Sequence, residues 1–214
     1  MLTGLAVPAT ANAIKSRIGL DFRVPALVLS LTAVAMFLYL TVRLTAADLA
    51  LARAKRALDA GRIEDSVEAY SWSERWHPVG SSDDLYFSRA LAAVSRTASN
   101  PARVLIASQQ ALTIARHAGE TSEEQQNAWY NLAGFYAAQN NLAGVEACLR
   151  RSVDASPNWF KPHWALAQVL LFAGRRTEAM AEAALAADLD GGKDPEIAKL
   201  LQSLHHHPAS SKAE

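Results

Sequence analysis

The chain has 214 residues, half of them apolar, with 21 basic and 21 acidic side chains and a formal net charge of zero. That length admits one or two domains, and a pI near 7 without a block of like charge gives no electrostatic footprint for nucleic acid. A single cysteine, Cys148, excludes an intrachain disulfide framework and leaves the redox compartment open.

Residues 1–23 read as a flexible leader, mildly apolar at first but broken by Pro8 and Asn12 and too short to span a bilayer. The next stretch, Val24 to Val42, holds nineteen residues without a charge. As a helix it extends roughly 28 Å, close to the thickness of a hydrocarbon core. It therefore predicts a transmembrane helix over residues 24–43. Arg23 and Arg43 bracket it, where long basic side chains reach the interfaces. Pro25 falls in the first turn, where a missing N–H costs little, and the hydroxyls of Ser30 and Thr32 can bond back to helix carbonyls. A cleaved signal peptide is the main competitor, although its apolar region is usually only about 7–15 residues long. A buried core helix is the other, although one of this length rarely lacks charge entirely. Orientation is open, because Lys15, Arg17 and Arg23 before the span balance Arg43, Arg53, Lys55 and Arg56 after it.

The remainder is Ala-rich and repeats on a 34-residue frame over residues 47–190, with starts near Ala47, Leu85, Gln126 and Phe160. The last two starts are one full period apart. The earlier gaps exceed the period by four and seven residues, expected as loop insertions around Ser81–Asp84 and Gly119–Gln125. The frame puts small residues where the two helices of a hairpin approach. The eighth, twentieth and twenty-seventh positions are Ala54, Ser66, Ser73; Ala92, Val104, Ala111; Ala133, Val145, Ser152; and Ala167, Ala179, Ala186. The fifteenth position holds Gly61, Ser99, Asn140 and Gly174, all turn formers. Pro78 and Pro157 close two of the second helices. Residues 194–204 then form a short helix that covers the apolar end of the array, and residues 205–214 read as a disordered tail. A generic helical bundle would explain the composition but has no reason to keep the spacing.

The third repeat, AWYNLAGFYAAQNNLAGVEACLRRSVDASPNW, resembles the tetratricopeptide family: Trp129, Leu132, Ala133, Tyr136 and Pro157 stand where that family has Trp, Leu, Gly, Tyr and Pro. The fourth is nearly as close; the first is moderate and the second weak, with Ser95 and Ser108 at positions usually large. With the apolar span before it, the resemblance implies an all-α protein, one transmembrane helix followed by an α-solenoid of about four helical hairpins and a capping helix. A finer resemblance lies in PNWFKPHWALAQVL and the LDGGKDPEI that follows. It is similar to the C-terminal repeats of some bacterial O-antigen ligase-family membrane proteins, which implies a bacterial inner-membrane setting. That family's chemistry belongs to a multi-span core, so no activity is carried onto these residues.

No catalytic constellation, cofactor site or metal site is read from the sequence. His77, His117 and His163 are scattered, and His205–His207 lie in the tail without further ligands. Cys148 reads as a packed thiol. The Gly191–Gly192 pair ends a helix instead of opening one, so it is no phosphate loop. The acidic pairs Asp83–Asp84 and Glu123–Glu124 fall at helix starts, where the dipole accounts for them. What remains is a binding surface. The family's first helices line the concave side, and the inward positions there are Asn127, Tyr130 and Asn131 in the third repeat and Lys161, Trp164, Gln168 and Phe172 in the fourth. Rings flanked by amides suit an extended peptide, the amides bonding its backbone while the rings cover its side chains. Packing between neighbouring repeats is the alternative role for Tyr130 and Trp164. The resulting expectation is a membrane-anchored scaffold with a protein or peptide partner, or else a module of an envelope-glycan enzyme or a periplasmic chaperone-like helper.

Overall fold

A computed structural model describes residues 23–77, 80–97 and 99–206. The leader and most of the expected tail lie outside them. The described residues are all-α: α1 (Arg23–Asp59), α2 (Ile63–Trp76), α3 (Asp83–Thr97), α4 (Pro101–Thr121), α5 (Gln125–Ala138), α6 (Leu142–Ala155), α7 (Phe160–Phe172), α8 (Arg176–Asp190) and α9 (Pro195–His206). The chain divides into two compact units, residues 1–53 with 69–77, and residues 54–68 with 78–214.

In the first unit, every residue from 24 to 42 of α1 is exposed, including Leu29 at 72% and Phe37 at 69%. The hydroxyls of Ser30 and Thr32 donate to Leu27 O and Leu29 O, at 2.9 and 2.8 Å. Both are thereby satisfied within the helix. The helix changes character at Arg43. Its guanidinium closes the end of α2, with Nε donating to Trp76 O at 2.7 Å and Nη2 to His77 O at 3.2 Å. Ala47 is fully buried, and the Ser73 hydroxyl of α2 donates to its carbonyl at 3.0 Å.

The second unit is a tetratricopeptide-like solenoid of helical hairpins. α3 packs on α4, α5 on α6, α7 on α8 and α9 on α8, and the α4–α5 and α6–α7 contacts join successive hairpins. The seams are built from small residues. Ala111, Ala167, Ala179, Ala186 and Ser152 are fully buried, while Ala92 and Val104 of the second hairpin are only half-buried. Serine lets two backbones approach and satisfies a carbonyl at once. Ser66 Oγ donates to Ala54 O at 2.8 Å and Ser152 Oγ to Gln126 O at 2.8 Å. Ser152 thus repeats, at the same separation of 26 residues, the bond that Ser73 makes to Ala47 in the first unit. Leu132, Leu149, Leu166 and Leu170 fill the core between these seams; a leucine buried in this way contributes about 1.5–3 kcal/mol.

Three turns share one geometry. Gly61, Asn140 and Gly174 adopt left-handed φ of 71, 56 and 77°. Each gives its N–H to the carbonyl three residues back, and the following residue bonds five back: Arg62 to Ala57, Asn141 to Tyr136 and Arg175 to Leu170. This is the helix-ending motif that a residue tolerant of positive φ permits. The second hairpin differs. There Asn100 starts α4 with its side chain, Oδ1 accepting from Ala102 N at 2.9 Å, and Pro101 follows as the first helical residue.

The extra seven residues of the second repeat are not a loop, as the spacing suggested. They lengthen a helix: α4 has 21 residues against 14 in α6 and 15 in α8, and only Ser122–Glu124 separate it from α5. At the other end of the unit, α9 turns Ile197 and Leu204 inward, each 1% exposed. α9 continues to His206, so the backbone of the first two tail histidines is helical.

Candidate functional site

The first helices α5 and α7 carry the residues singled out above. On α5, Asn127 is half-buried and its Nδ2 donates to Glu124 Oε2 at 2.6 Å, while Glu124 Oε1 accepts from the Tyr86 hydroxyl at 3.2 Å. The Tyr130 ring stands 5.1 Å from that of Trp159, tilted by 58°, so it ties α5 to the residue that opens α7. Burial pushes its phenol above the usual tyrosine range.

Asn131 is placed differently from an amide waiting for a peptide. Its Oδ1 accepts from Arg89 Nε and its Nδ2 donates to Ser88 Oγ, both at 3.2 Å, so the side chain bridges α5 to α3. Both ends of the amide are engaged within the solenoid. On α7, Lys161 and Gln168 are exposed and Phe172 is 76% exposed. Trp164 is half-buried, and its indole N–H is enclosed without a hydrogen-bond partner. An enclosed donor of this kind costs about 1–3 kcal/mol relative to a bonded one.

Beside Asn131 the structure opens a groove of about 490 Å³ between α3 and α5, lined by Arg89, Ser95, Arg96, Asn131, Gly134 and Phe135 among others. Arg89 and Arg96 were not singled out in the sequence. They lie seven apart on α3, two helical turns on one face, and both are exposed. That spacing was the available signal; the weak family pattern of the second repeat hid it.

Two of the scattered histidines join helices through acids. Asp84, expected to serve only the start of α3, is buried and bonds His117 Nδ1 of α4 at 2.7 Å. His163 of α7 is 4% exposed, with Nδ1 2.7 Å from Glu182 Oε2 of α8 and Nε2 2.9 Å from Pro157 O. Cys148 is likewise buried, and burial pushes its thiol up to about 11 against the opposing pull of Arg151 and Arg116. The thiol therefore stays protonated and weakly nucleophilic near neutral pH.

No protein-family model matches the sequence, and no curated protein sequence matches it. Solved structures do. TTC0263, a thermophilic tetratricopeptide-repeat protein of Thermus thermophilus, superposes with a TM-score of 0.52 at 22% identity, over 72% of this chain and 78% of that one. The fold is that of tetratricopeptide-repeat proteins. MamA of Desulfovibrio magneticus RS-1 gives 0.54 at 16% identity over 75% and 84% of the two chains. PilW, described as a type IV pilus biogenesis factor, gives 0.51 at 15% identity over 94% and 86%. At such identities the likeness establishes the fold. The expected kinship with O-antigen ligase tails finds no support in these comparisons.

Proposed function

We propose that the chain is a non-enzymatic, membrane-anchored scaffold that holds an extended peptide segment of a protein partner against its first helices. The observation that carries this reading is the row of exposed groups on α7, Lys161, Gln168 and Phe172, beside the half-buried ring of Trp164. Exposed Phe172, Gln168 and Lys161, together with the Arg89–Asn131 groove, offer a ring, donors and positive charge along the face where peptide backbones dock in repeat proteins of this fold. Asn127 and Asn131 shape that face by holding Glu124 and Arg89 in place; Tyr130 supports it from beneath through Trp159. Truncating a true aromatic hot spot costs about 2 kcal/mol or more of binding. Trp164→Ala is therefore expected to lose partner capture from solubilised membranes while its melting temperature stays near that of the unsubstituted chain. Unfolding of that variant instead would assign the ring to packing between repeats.

Anchoring is proposed for residues 24–43. α1 is long and apolar enough to cross a bilayer, and among the described residues nothing covers its apolar stretch. The expected outcome is that the chain stays with membranes through a carbonate wash at its full mass. Arginines at Leu31 and Val34 together should cost roughly 5 kcal/mol of insertion and release it. A shortened chain in the soluble fraction would identify the segment as a cleaved signal sequence.

A further inference from the structure

The two extra turns of α4 carry Arg116 and Glu120 beyond the length that the sibling helices α6 and α8 need. There they meet Trp129 and Tyr136 of α5 and Cys148 and Arg151 of α6 around a pocket of about 340 Å³. Both guanidiniums are held by rings. The carbon of the Arg151 head lies 4.4 Å from the centroid of Trp129. Gly119 of α4 also lies against that indole, so closely that a Cβ there would sit 3.1 Å from three of its atoms. Arg116 Nε donates to the Tyr136 hydroxyl at 3.2 Å, with its head 5.6 Å from the ring. An arginine stacked on a ring keeps the rest of its N–H groups free for a ligand.

The remaining polar groups of the pocket are mostly donors. The Tyr136 hydroxyl accepts from Arg116, which frees its own proton to donate. Asn141 Oδ1 accepts from Gly144 N at 3.0 Å, which leaves its Nδ2 available. Glu120 is the one acid in the lining, against two arginines. Among the described residues, none of the three is in an ion pair. The volume is at the small end of ligand pockets and suits a compact molecule better than a peptide. Neither the repeat seams nor the face of α5 and α7 requires this arrangement.

We propose that the pocket between α4, α5 and α6 binds a small organic oxyanion, a carboxylate or a phosphate, through Arg116 and Arg151. The site is distinct from the peptide face and does not depend on that reading. The test uses the full-length chain in non-ionic detergent, with inorganic phosphate followed by ³¹P line broadening and succinate followed by saturation transfer. A response to phosphate alone assigns a phosphate ligand, and a response to succinate alone assigns a carboxylate. Binding should weaken roughly tenfold in Arg151→Gln and in Arg116→Gln, as expected for loss of a hydrogen bond to a charged group, and only partly in Arg151→Lys. Arg89→Gln, in the other groove, should bind as before. Glu120→Gln, which removes the one repelling charge, should bind more tightly, and it tests the pocket without disturbing either stacked arginine. Silence of both probes with the unsubstituted chain would overturn the proposal. So would unchanged binding in Arg151→Gln, or unchanged binding in Glu120→Gln.

Discussion

The second and fourth hairpins of the solenoid are built from the same frame and differ in helix length, turn and seam. In the fourth, α7 and α8 have 13 and 15 residues, the turn is a glycine at φ 77°, and all three seam alanines are fully buried. In the second, α4 runs to 21 residues, the turn is replaced by a side-chain cap at Asn100, and two of the three seam positions are half-buried. Both hairpins join their two helices through a histidine and an acid, His117 with Asp84 in the second and His163 with Glu182 in the fourth, each at 2.7 Å; in the second, Thr121 adds a bond to the same carboxylate. A tightly packed seam specifies its own geometry, whereas a looser one leaves room for an extension that does something else. In this chain the extension walls a pocket.

That difference has measurable consequences. Ala167→Leu inserts bulk into a seam with no space and should destabilise the chain by about 1–3 kcal/mol. Ala92→Leu, at the equivalent but half-buried position of the second hairpin, should cost clearly less, and exposed Ala184→Leu should cost nothing measurable. Urea titration of all three ranks them. Equal losses at Ala92 and Ala167 would remove the distinction between the hairpins.

The turns give a smaller effect. Gly174→Ala forces a Cβ into left-handed backbone and should cost roughly 1–2 kcal/mol. Gly134 on α5 has ordinary helical backbone and nothing within 4 Å of a Cβ. There the same change should stabilise by about 0.5–1 kcal/mol. Opposite shifts in melting temperature for the two alanine variants are the expected result.

The hairpin architecture was legible in the sequence because close helix approach demands small residues at fixed intervals, and left-handed turns demand glycine or asparagine. Ala167, Ala179 and Gly174 announce themselves on those grounds. The long apolar helix was legible for a simpler reason, nineteen residues without a charge. The candidate site was only partly so. Spacing put Asn131 on the first helix of its hairpin but could not show that its amide is taken by Ser88 and Arg89. Nor could it show that Asp84 turns inward to His117. Partners 33 or 42 residues away are set by how hairpins stack, and a register within one helix carries no record of that. The insertion misled for a related reason. Residues 115–121 have no proline to end a helix, and their helical continuation shows only once Gly119 is seen seated against Trp129.

The working face is tested most directly by placing a photo-crosslinking residue at Phe172, exposed on α7, and separately at Leu185, exposed on α8. Irradiation in native membranes is predicted to join a protein partner to the chain from position 172 and not from position 185. Adducts from position 185 alone, or equal adducts from both, would contradict the assignment of the first helices as the surface that holds the partner.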